Sequence, residues 1–278
     1  MNGLTIEQIN ETKKMCQKMR INALKMAYSS GDRGAHISGS LSCIEIYAVL
    51  YKWILNYDID NPLWEKRDRM VAGKEHARLA EFPAMAEIGF FPECELEKFE
   101  SNDGLLTGHP KNLKIGLEYS SCSLGTALPF ALGKALYAKQ FEKEYKVFVL
   151  VGDAECAEGA IWEAIMVAAQ YKLDNLTLIV DRNYLSVDGN TEELIAKRDM
   201  EEKFRAFGWA SETVDGHDIV QLYNSLNRKC VDMPHVIIAT TIKGKGVSFM
   251  ENRKEWHQAI LNEEDYKRSL DEVSVKLC

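Results

Sequence analysis

The sequence predicts an α/β fold built around a parallel β-sheet. Two apolar runs, at residues 147–151 and 176–180, have the length and composition of buried strands. Between them, residues 160–169 carry small and apolar side chains at the spacing of a helix that packs on a sheet. A crossover of this length places the two strands parallel in the same sheet.

Both of these strands end in polar residues. Asp153 follows the first strand and Asn183 follows the second. Neighbouring strands lie about 4.8 Å apart, so the two side chains should emerge together at the carboxyl edge, where open α/β sheets bind ligands. A carboxylate and an amide oxygen are hard ligands suited to Mg²⁺, which often accompanies phosphates. An Asp between a strand and a helix is also often only a helix cap, and this pattern alone leaves both roles open.

The composition narrows the class of protein. The 278 residues carry a formal net charge of −8, which argues against a nucleic-acid or anionic-membrane partner. No apolar run reaches transmembrane length, and the polar start is not that of a signal peptide. The seven cysteines are odd in number and lack CxxC spacing, so we expect reduced thiols in a cytoplasmic protein. Without a visible linker or repeat, we expect residues 1–278 to form a single domain.

Local signals place the other elements. Thr5 and Gln8 form a capping-box pattern before a long amphipathic helix, and Ser42 and Glu45 form a second one. Pro83 should limit a helix before it. His217 is expected to be structural. We expect further strands at 70–72, 209–214 and 236–239, and further helices around 128–136, 200–207, 219–226 and 262–277.

The central segment resembles the metal–diphosphate signature of thiamine-diphosphate enzymes, a Gly-Asp-Gly followed about thirty residues later by Asn. Here the two strings are GDA, with Asp153, and DRN, with Asn183. The resemblance is greatest to the transketolase family, in particular to its amino-terminal half. It implies a three-layer fold, a parallel sheet flanked by helices, that binds thiamine diphosphate. By the family pattern, Asp153, Asn183 and the backbone carbonyl of Leu185 would bind Mg²⁺, with Ca²⁺ or Mn²⁺ as substitutes.

Four histidines occur in the same chain order as in transketolases. The resemblance implies that His36 and His109 face substrate hydroxyls, and that His76 and His257 lie toward the diphosphate. His36, His109 and His257 are the predicted catalytic residues, with His36 or His257 transferring a proton to the acceptor. Imidazole suits this work because its pKa is near neutrality. Spacing alone does not exclude that these are ordinary surface histidines.

The remaining cofactor contacts also come from the resemblance. Leu124, in a Ser-Leu-Gly turn, should touch the aminopyrimidine, and Gly152 and Ala154 should present N–H groups to the diphosphate. Ala154 replaces the usual glycine, which costs roughly 1 kcal/mol if the position needs a positive φ. Glu158 resembles an acidic residue at the family's subunit interface, and a solvated first-turn glutamate is the alternative. Cys122 also replaces a glycine, and a small buried residue is favoured over a reactive thiol.

The chemistry of the family explains why the cofactor is needed. Ketol transfer breaks a carbon–carbon bond beside a carbonyl, and the thiazolium of thiamine diphosphate can hold the resulting charge where side chains cannot. The family's activating glutamate lies in a second domain, and the resemblance covers this chain but only about half of the full-length enzyme. It therefore implies the amino-terminal subunit of a split transketolase, paired with a separate pyrimidine-side subunit in an α2β2 assembly that acts on sugars or sugar phosphates.

Two other functions remain open. A different thiamine-diphosphate synthase, of the deoxyxylulose or acyloin type, would fit departures from the family pattern such as Glu75 and Glu81. A catalytically silent scaffold is the other alternative, and the retention of Asp153, Asn183 and the four histidines speaks against it. A Rossmann nucleotide-binding protein is a weaker interpretation, because no GxGxxG follows a strand.

Overall fold

A parallel sheet of five strands forms the centre of the computed structural model, which describes residues 3–109, 111–120 and 123–275. The strands are β1 (Arg69–Ala72), β2 (Val147–Gly152), β3 (Leu176–Arg182), β4 (Ala210–Asp215) and β5 (His235–Thr240). Their order across the sheet is β1-β2-β3-β5-β4, and every neighbouring pair is parallel. The predicted pairing of the two central strands is therefore confirmed, with Val147 opposite Leu176.

Helices cover both faces of this sheet. Their bounds are α1 (Ile6–Ser29), α2 (Ser38–Leu41), α3 (Ile44–Val49), α4 (Arg78–Glu87), α5 (Ala127–Gln140), α6 (Gly159–Gln170), α7 (Thr191–Leu194), α8 (Met200–Ala206), α9 (Ile219–Leu226) and α10 (Glu263–Val275). Residues of α1, α3, α4 and α9 share one buried apolar cluster, and residues of α5, α6 and α8 share the other. This confirms the three-layer α/β architecture. No helix in the described ranges is long and apolar enough to cross a bilayer.

Strand β2 shows how the layers are specified. Val147, Val149 and Val151 belong to the cluster under α5 and α6, whereas Phe148 and Leu150 belong to the opposite cluster. Successive strand residues point to opposite faces, so a continuous apolar run is what a strand covered on both sides requires. The sheet is therefore buried, and the polar residues that follow each strand gather at its carboxyl edge.

The first predicted capping box is confirmed. The Thr5 hydroxyl accepts a hydrogen bond from the Gln8 N–H, and the Gln8 side chain accepts one from the Thr5 N–H. The helix that follows buries Met15, Met19 and Met26 in the first of the two apolar clusters. Local sequence and tertiary packing agree here, because the box stands at an exposed helix end.

The second predicted capping box is wrong. The Ser42 hydroxyl donates to the Asp181 carboxylate at 2.6 Å instead of capping a helix, and α3 has no side-chain N-cap bond. Glu45 binds Arg20 and His217. Both side chains are buried, so tertiary partners take the polar groups that a capping box would have used.

The expectation that Pro83 limits the helix before it is also wrong. Pro83 lies inside α4, which continues on both sides of it. A proline inside a helix costs roughly 3 kcal/mol relative to alanine. Leu79, Phe82 and Met85 of the same helix are buried in the core, and this packing offsets the lost backbone bond.

Candidate active site

The carboxyl ends of the strands open into one cavity of about 720 Å³. The cavity collects side chains from segments that are far apart in the sequence. Its lining includes every predicted site residue except Glu158, namely His36, His76, His109, Leu124, Gly152, Asp153, Ala154, Asn183, Leu185 and His257.

Asp153 and Asn183 meet at a single turn of the backbone. The Asp153 carboxylate accepts a hydrogen bond from the Tyr184 N–H at 2.9 Å, and the Asn183 amide oxygen accepts one from the Leu185 N–H at 3.1 Å. Tyr184 has a φ of 63°, a left-handed conformation that costs a non-glycine residue free energy. The three predicted metal ligands are thus brought together by a strained turn.

The environment of Asp153 favours a nearby cation. Burial raises the pKa of the Asp153 carboxyl, and the charge of Asp181 adds to this, while Arg182 opposes it. The Arg182 guanidinium lies 3.5 Å from the carboxylate, and the Thr191 hydroxyl donates to it at 3.2 Å. In the described ranges no group of three or more His, Cys, Asp or Glu side chains could hold a metal ion. A metal here would depend on the predicted mixture of carboxylate, amide and carbonyl oxygens.

Lys243 is a cation in this cavity that the sequence analysis missed. Its ammonium donates to the Leu185 carbonyl at 2.7 Å and lies 2.9 Å from Nδ1 of His257. Burial lowers the pKa of Lys243 to about 8, and the charge of Lys74 acts in the same direction. The signal was available, because Lys243 follows β5 at the same carboxyl edge that identified Asp153.

The four histidines come together. The ring centroids of His36, His76 and His257 lie 5.0 to 5.4 Å apart in each pair, and His109 lines the same cavity. Burial lowers the pKa of His36 to about 4, with His109 and Lys243 contributing. Burial and then Lys243 lower the pKa of His257 to about 3, and burial lowers that of His76 well below its usual value. These three rings are therefore neutral at neutral pH. Their clustering also excludes the alternative that they are ordinary histidines scattered over the surface.

The GDA turn accommodates its alanine. Ala154 has a φ of −61°, so the replacement of glycine introduces no strain. Its N–H, the predicted diphosphate donor, here donates to the Asp153 carboxylate at 2.8 Å. A Cβ placed on Gly152 would meet no protein atom within 4 Å. Packing therefore does not require this glycine, and the space beside it is open to a ligand.

Glu155 joins two parts of the site and was also missed. One carboxylate oxygen accepts the Gly125 N–H at 3.0 Å, and the other accepts the Gly152 N–H at 3.2 Å. Burial raises the pKa of Glu155 to about 7. The bridge holds the turn of Leu124, which is 39% exposed and faces the cavity, against the end of β2.

Glu158 stands outside the cavity. It is exposed at the N-cap position of α6 and makes no side-chain capping bond. A Cβ on Gly125 would lie 2.5 Å from the Glu158 Cβ, so Glu158 packs closely on the turn of Leu124. Its predicted cofactor or interface role stays a prediction. Cys122 and the side chain of Glu75 lie outside the described residues.

A buried ion pair forms the floor of the site. The Lys74 ammonium contacts the Asp181 carboxylate and donates to the Gly39 carbonyl at 2.7 Å. Burial by itself would raise the pKa of Asp181, but Lys74 and hydrogen bonds from Ser42 and Thr241 outweigh it, so the pKa is lowered. The charge of Lys74 is thus matched within the protein and is not available to a ligand.

Comparisons with known proteins agree with this geometry. The family model described as "Transketolase, thiamine diphosphate binding domain" matches residues 11–275. One subunit of the apulose-4-phosphate transketolase of Phocaeicola vulgatus is 35% identical over 276 residues, which is 97% of this chain and 96% of that protein. The 6-deoxy-6-sulfo-D-fructose transketolase subunit SqwG of a Clostridium species is 34% identical, with 86% and 88% covered.

One-chain transketolases match over part of their length. Human transketolase is 33% identical over 90% of this chain and 40% of its own length. The transketolase structure from Leishmania mexicana gives a TM-score of 0.87 at 25% identity, covering 95% of this chain and 41% of that one. That from Campylobacter jejuni gives 0.85 at 26% identity, with 98% and 43% covered. The chain spans about two fifths of these enzymes.

The chain belongs to the transketolase family and has the fold of its thiamine-diphosphate-binding domain. Because it matches proteins that are named as single subunits of transketolases, over nearly their whole length, it corresponds to the amino-terminal subunit of a split, transketolase-like enzyme. The sequence-based predictions of family, fold and type of enzyme are thereby confirmed.

Proposed function

We propose that this chain joins a separate pyrimidine-side subunit, and that the assembled enzyme transfers a two-carbon ketol unit from a ketose to an aldose. One observation carries the proposal. Asp153, Asn183 and the cluster of His36, His76 and His257 converge on one cavity at the carboxyl edge of the sheet. Relatives that are themselves named as one subunit of a transketolase support the existence of the partner.

The cavity fits thiamine diphosphate bound through a divalent ion. Asp153, Asn183 and the Leu185 carbonyl would hold Mg²⁺, with Ca²⁺ or Mn²⁺ as substitutes. The open space beside Gly152 would admit the diphosphate, and the Lys243 ammonium would offset part of its charge. When bound, the cofactor supplies the electron sink that breaking a carbon–carbon bond beside a carbonyl requires.

The histidines would bind and orient the sugar. The neutral ring of His36 can donate to one substrate hydroxyl or accept from it, and the His109 ring lines the same cavity. Since the Lys243 ammonium lies against Nδ1 of His257 at 2.9 Å and can donate to it, the proton of this neutral ring is on Nε2. His257 would then offer an N–H to an oxygen of the substrate, and His36, whose ring lies 5.3 Å from that of His257, is the other candidate for proton transfer to the acceptor.

Sugars or sugar phosphates are the proposed substrates. Two similar proteins are named for a sugar phosphate and for a sulfonated sugar, so an anionic group at the far end of the sugar is compatible with this type of subunit. The α2β2 assembly, the single-domain organisation and the cytoplasmic location also stay predictions.

The proposal is tested by reconstitution. The purified chain should show no ketol transfer and weak cofactor binding by itself, and adding the pyrimidine-side subunit, sought in the neighbouring reading frame, should restore both. The matched control is the same mixture made with Asp153→Ala. Ketol transfer by the chain without a partner would contradict the split-enzyme proposal. Products of another carboligation, or none from a complex that binds cofactor, would support the synthase or scaffold alternative instead.

A further inference from the structure

Two ammonium groups in the cavity have no carboxylate partner within the part of the chain that the structure describes. Lys74 is matched by Asp181. By contrast, no Asp or Glu oxygen among the described side chains lies within 4.0 Å of the ammonium of Lys197 or Lys243, both of which line the cavity. A buried charge without a partner is costly. Such groups therefore indicate an anionic ligand, and the proposed function gives a role to Lys243 but none to Lys197.

Lys197 is held in the protein with most of its hydrogen-bonding capacity unused. The residue is only 4% exposed, and its ammonium, which has three protons, donates to the Ile195 carbonyl at 2.8 Å. The carboxylate of Glu192 is occupied by other donors. It accepts the N–H groups of Lys197 and Arg198, each at 3.0 Å, and binds the Arg182 guanidinium.

The contacts of Glu192 and its neighbours fix the position of Lys197. Arg182 bridges Glu192 and the Asp153 carboxylate, and the Thr191 hydroxyl donates to Asp153 at 3.2 Å. The segment that carries Lys197 is therefore tied to the proposed metal ligand. A charge held in place before the ligand arrives loses little side-chain freedom on binding.

We propose that Lys197 is an oxyanion-binding residue, whose ammonium contacts a phosphoryl oxygen of the ligand in this cavity. This inference rests on the proposed function. The cofactor's diphosphate is the expected source, because Lys197 lines the cavity together with Asp153 and Ala154. The anionic group of the sugar has the same chemistry and is the second possible source.

Calorimetric titration of the full chain, by itself and with its pyrimidine-side subunit, separates these sources. The probes are thiamine diphosphate with Mg²⁺ and, separately, ribose 5-phosphate. The variants are Lys197→Met, which removes the charge at similar volume, Lys197→Arg, which keeps it, and the control Lys229→Met, an exposed lysine outside the cavity. Loss of a charge-assisted bond should weaken thiamine diphosphate binding about tenfold or more in Lys197→Met, and in neither of the other two variants.

Thermal unfolding supplies a second readout. If Lys197 were retained for structure, its replacement would lower the melting temperature. Removal of an unpaired buried charge should instead leave the melting temperature unchanged or raise it. Weaker binding of ribose 5-phosphate alone would assign Lys197 to the sugar's anion and support the inference. Unchanged affinity for both probes, or a lower melting temperature with unchanged affinity, would overturn it while leaving the proposed function intact. A wild-type complex that binds neither probe would overturn both.

Discussion

Replacing Asp153 by Asn should separate metal binding from folding. The raised pKa of the Asp153 carboxyl means that the folded state holds its proton more tightly than the unfolded state. The charged form therefore costs stability once the pH exceeds that pKa. The Asn amide oxygen can still accept the N–H of Tyr184, and Arg182 keeps its contact with Glu192. We expect the cofactor-free variant to be as stable as the wild type within about 1 kcal/mol.

The effect on the loaded protein should be much larger. A ligand at about 100 times its dissociation constant stabilises the folded state by about 2.7 kcal/mol. With an unfolding entropy of about 2.1 cal/mol/K per residue, a chain of 278 residues gains roughly 5 °C in melting temperature. The variant lacks the charged metal ligand, so most of this gain should disappear at the same concentrations.

Differential scanning fluorimetry tests both expectations. The melting temperature with chelator alone reports the stability of the cofactor-free protein, and the rise with Mg²⁺ and thiamine diphosphate reports the stabilisation by the ligand. Asp188→Asn is the matched control, since it is the same change at an exposed residue of the same cavity, and it should keep the wild-type shift. If Asp153→Asn also kept the full shift, the metal assignment would be wrong. A large loss of stability without cofactor would show that Asp153 is chiefly structural.

Two further predictions concern packing and pH. Gly73→Ala should destabilise the fold by about 1–3 kcal/mol, because its Cβ would lie 2.6 Å from the Glu155 carboxylate. The control Gly133→Ala, whose Cβ would meet nothing within 4 Å, should be neutral or stabilising. Urea unfolding measures both changes in stability. His36 and His257, with pKa values of about 4 and 3, should stay neutral at pH 5 in imidazole ¹⁵N NMR spectra. Because their folded pKa values are lowered from 6.5, the unfolded state takes up protons first on acidification, and stability should fall as the pH drops from about 6.5 toward 4. Titration of either ring near pH 6.5 would contradict the burial argument.

The positions of Asp153 and Asn183 were predictable from the sequence because the rules involved are local. An apolar run marks a buried strand, and the polar residue after it must emerge at the carboxyl edge, where Asp153 and Asn183 lie. The histidines were predicted from the resemblance to the transketolase family, which the metal–diphosphate signature indicated and their order along the chain supported. Neither argument needed a distance between remote residues.

The missed residues share a physical cause. Lys197, Lys243 and Glu155 are charged, and a sequence pattern gives charged residues no sign of burial, although the place of Lys243 after β5 did indicate the edge of the sheet at which it lies. Their significance comes from what surrounds them, such as the two glycine N–H groups bound by Glu155. The failed capping box of Ser42 and Glu45 has the same origin, since remote partners compete successfully for groups that are also compatible with a local motif.

The sequence by itself determined the layered α/β fold and the edge of the sheet that carries Asp153 and Asn183, since hydrophobic periodicity and strand ends are properties of short segments. The other predicted lining residues, among them the four histidines, came from the resemblance to the transketolase family. Only the tertiary structure decided which charges are paired. Lys74 is neutralised by Asp181, while Lys197 and Lys243 face the cavity. Electrostatic free energy depends on separation and burial, and both are set only when distant segments pack together.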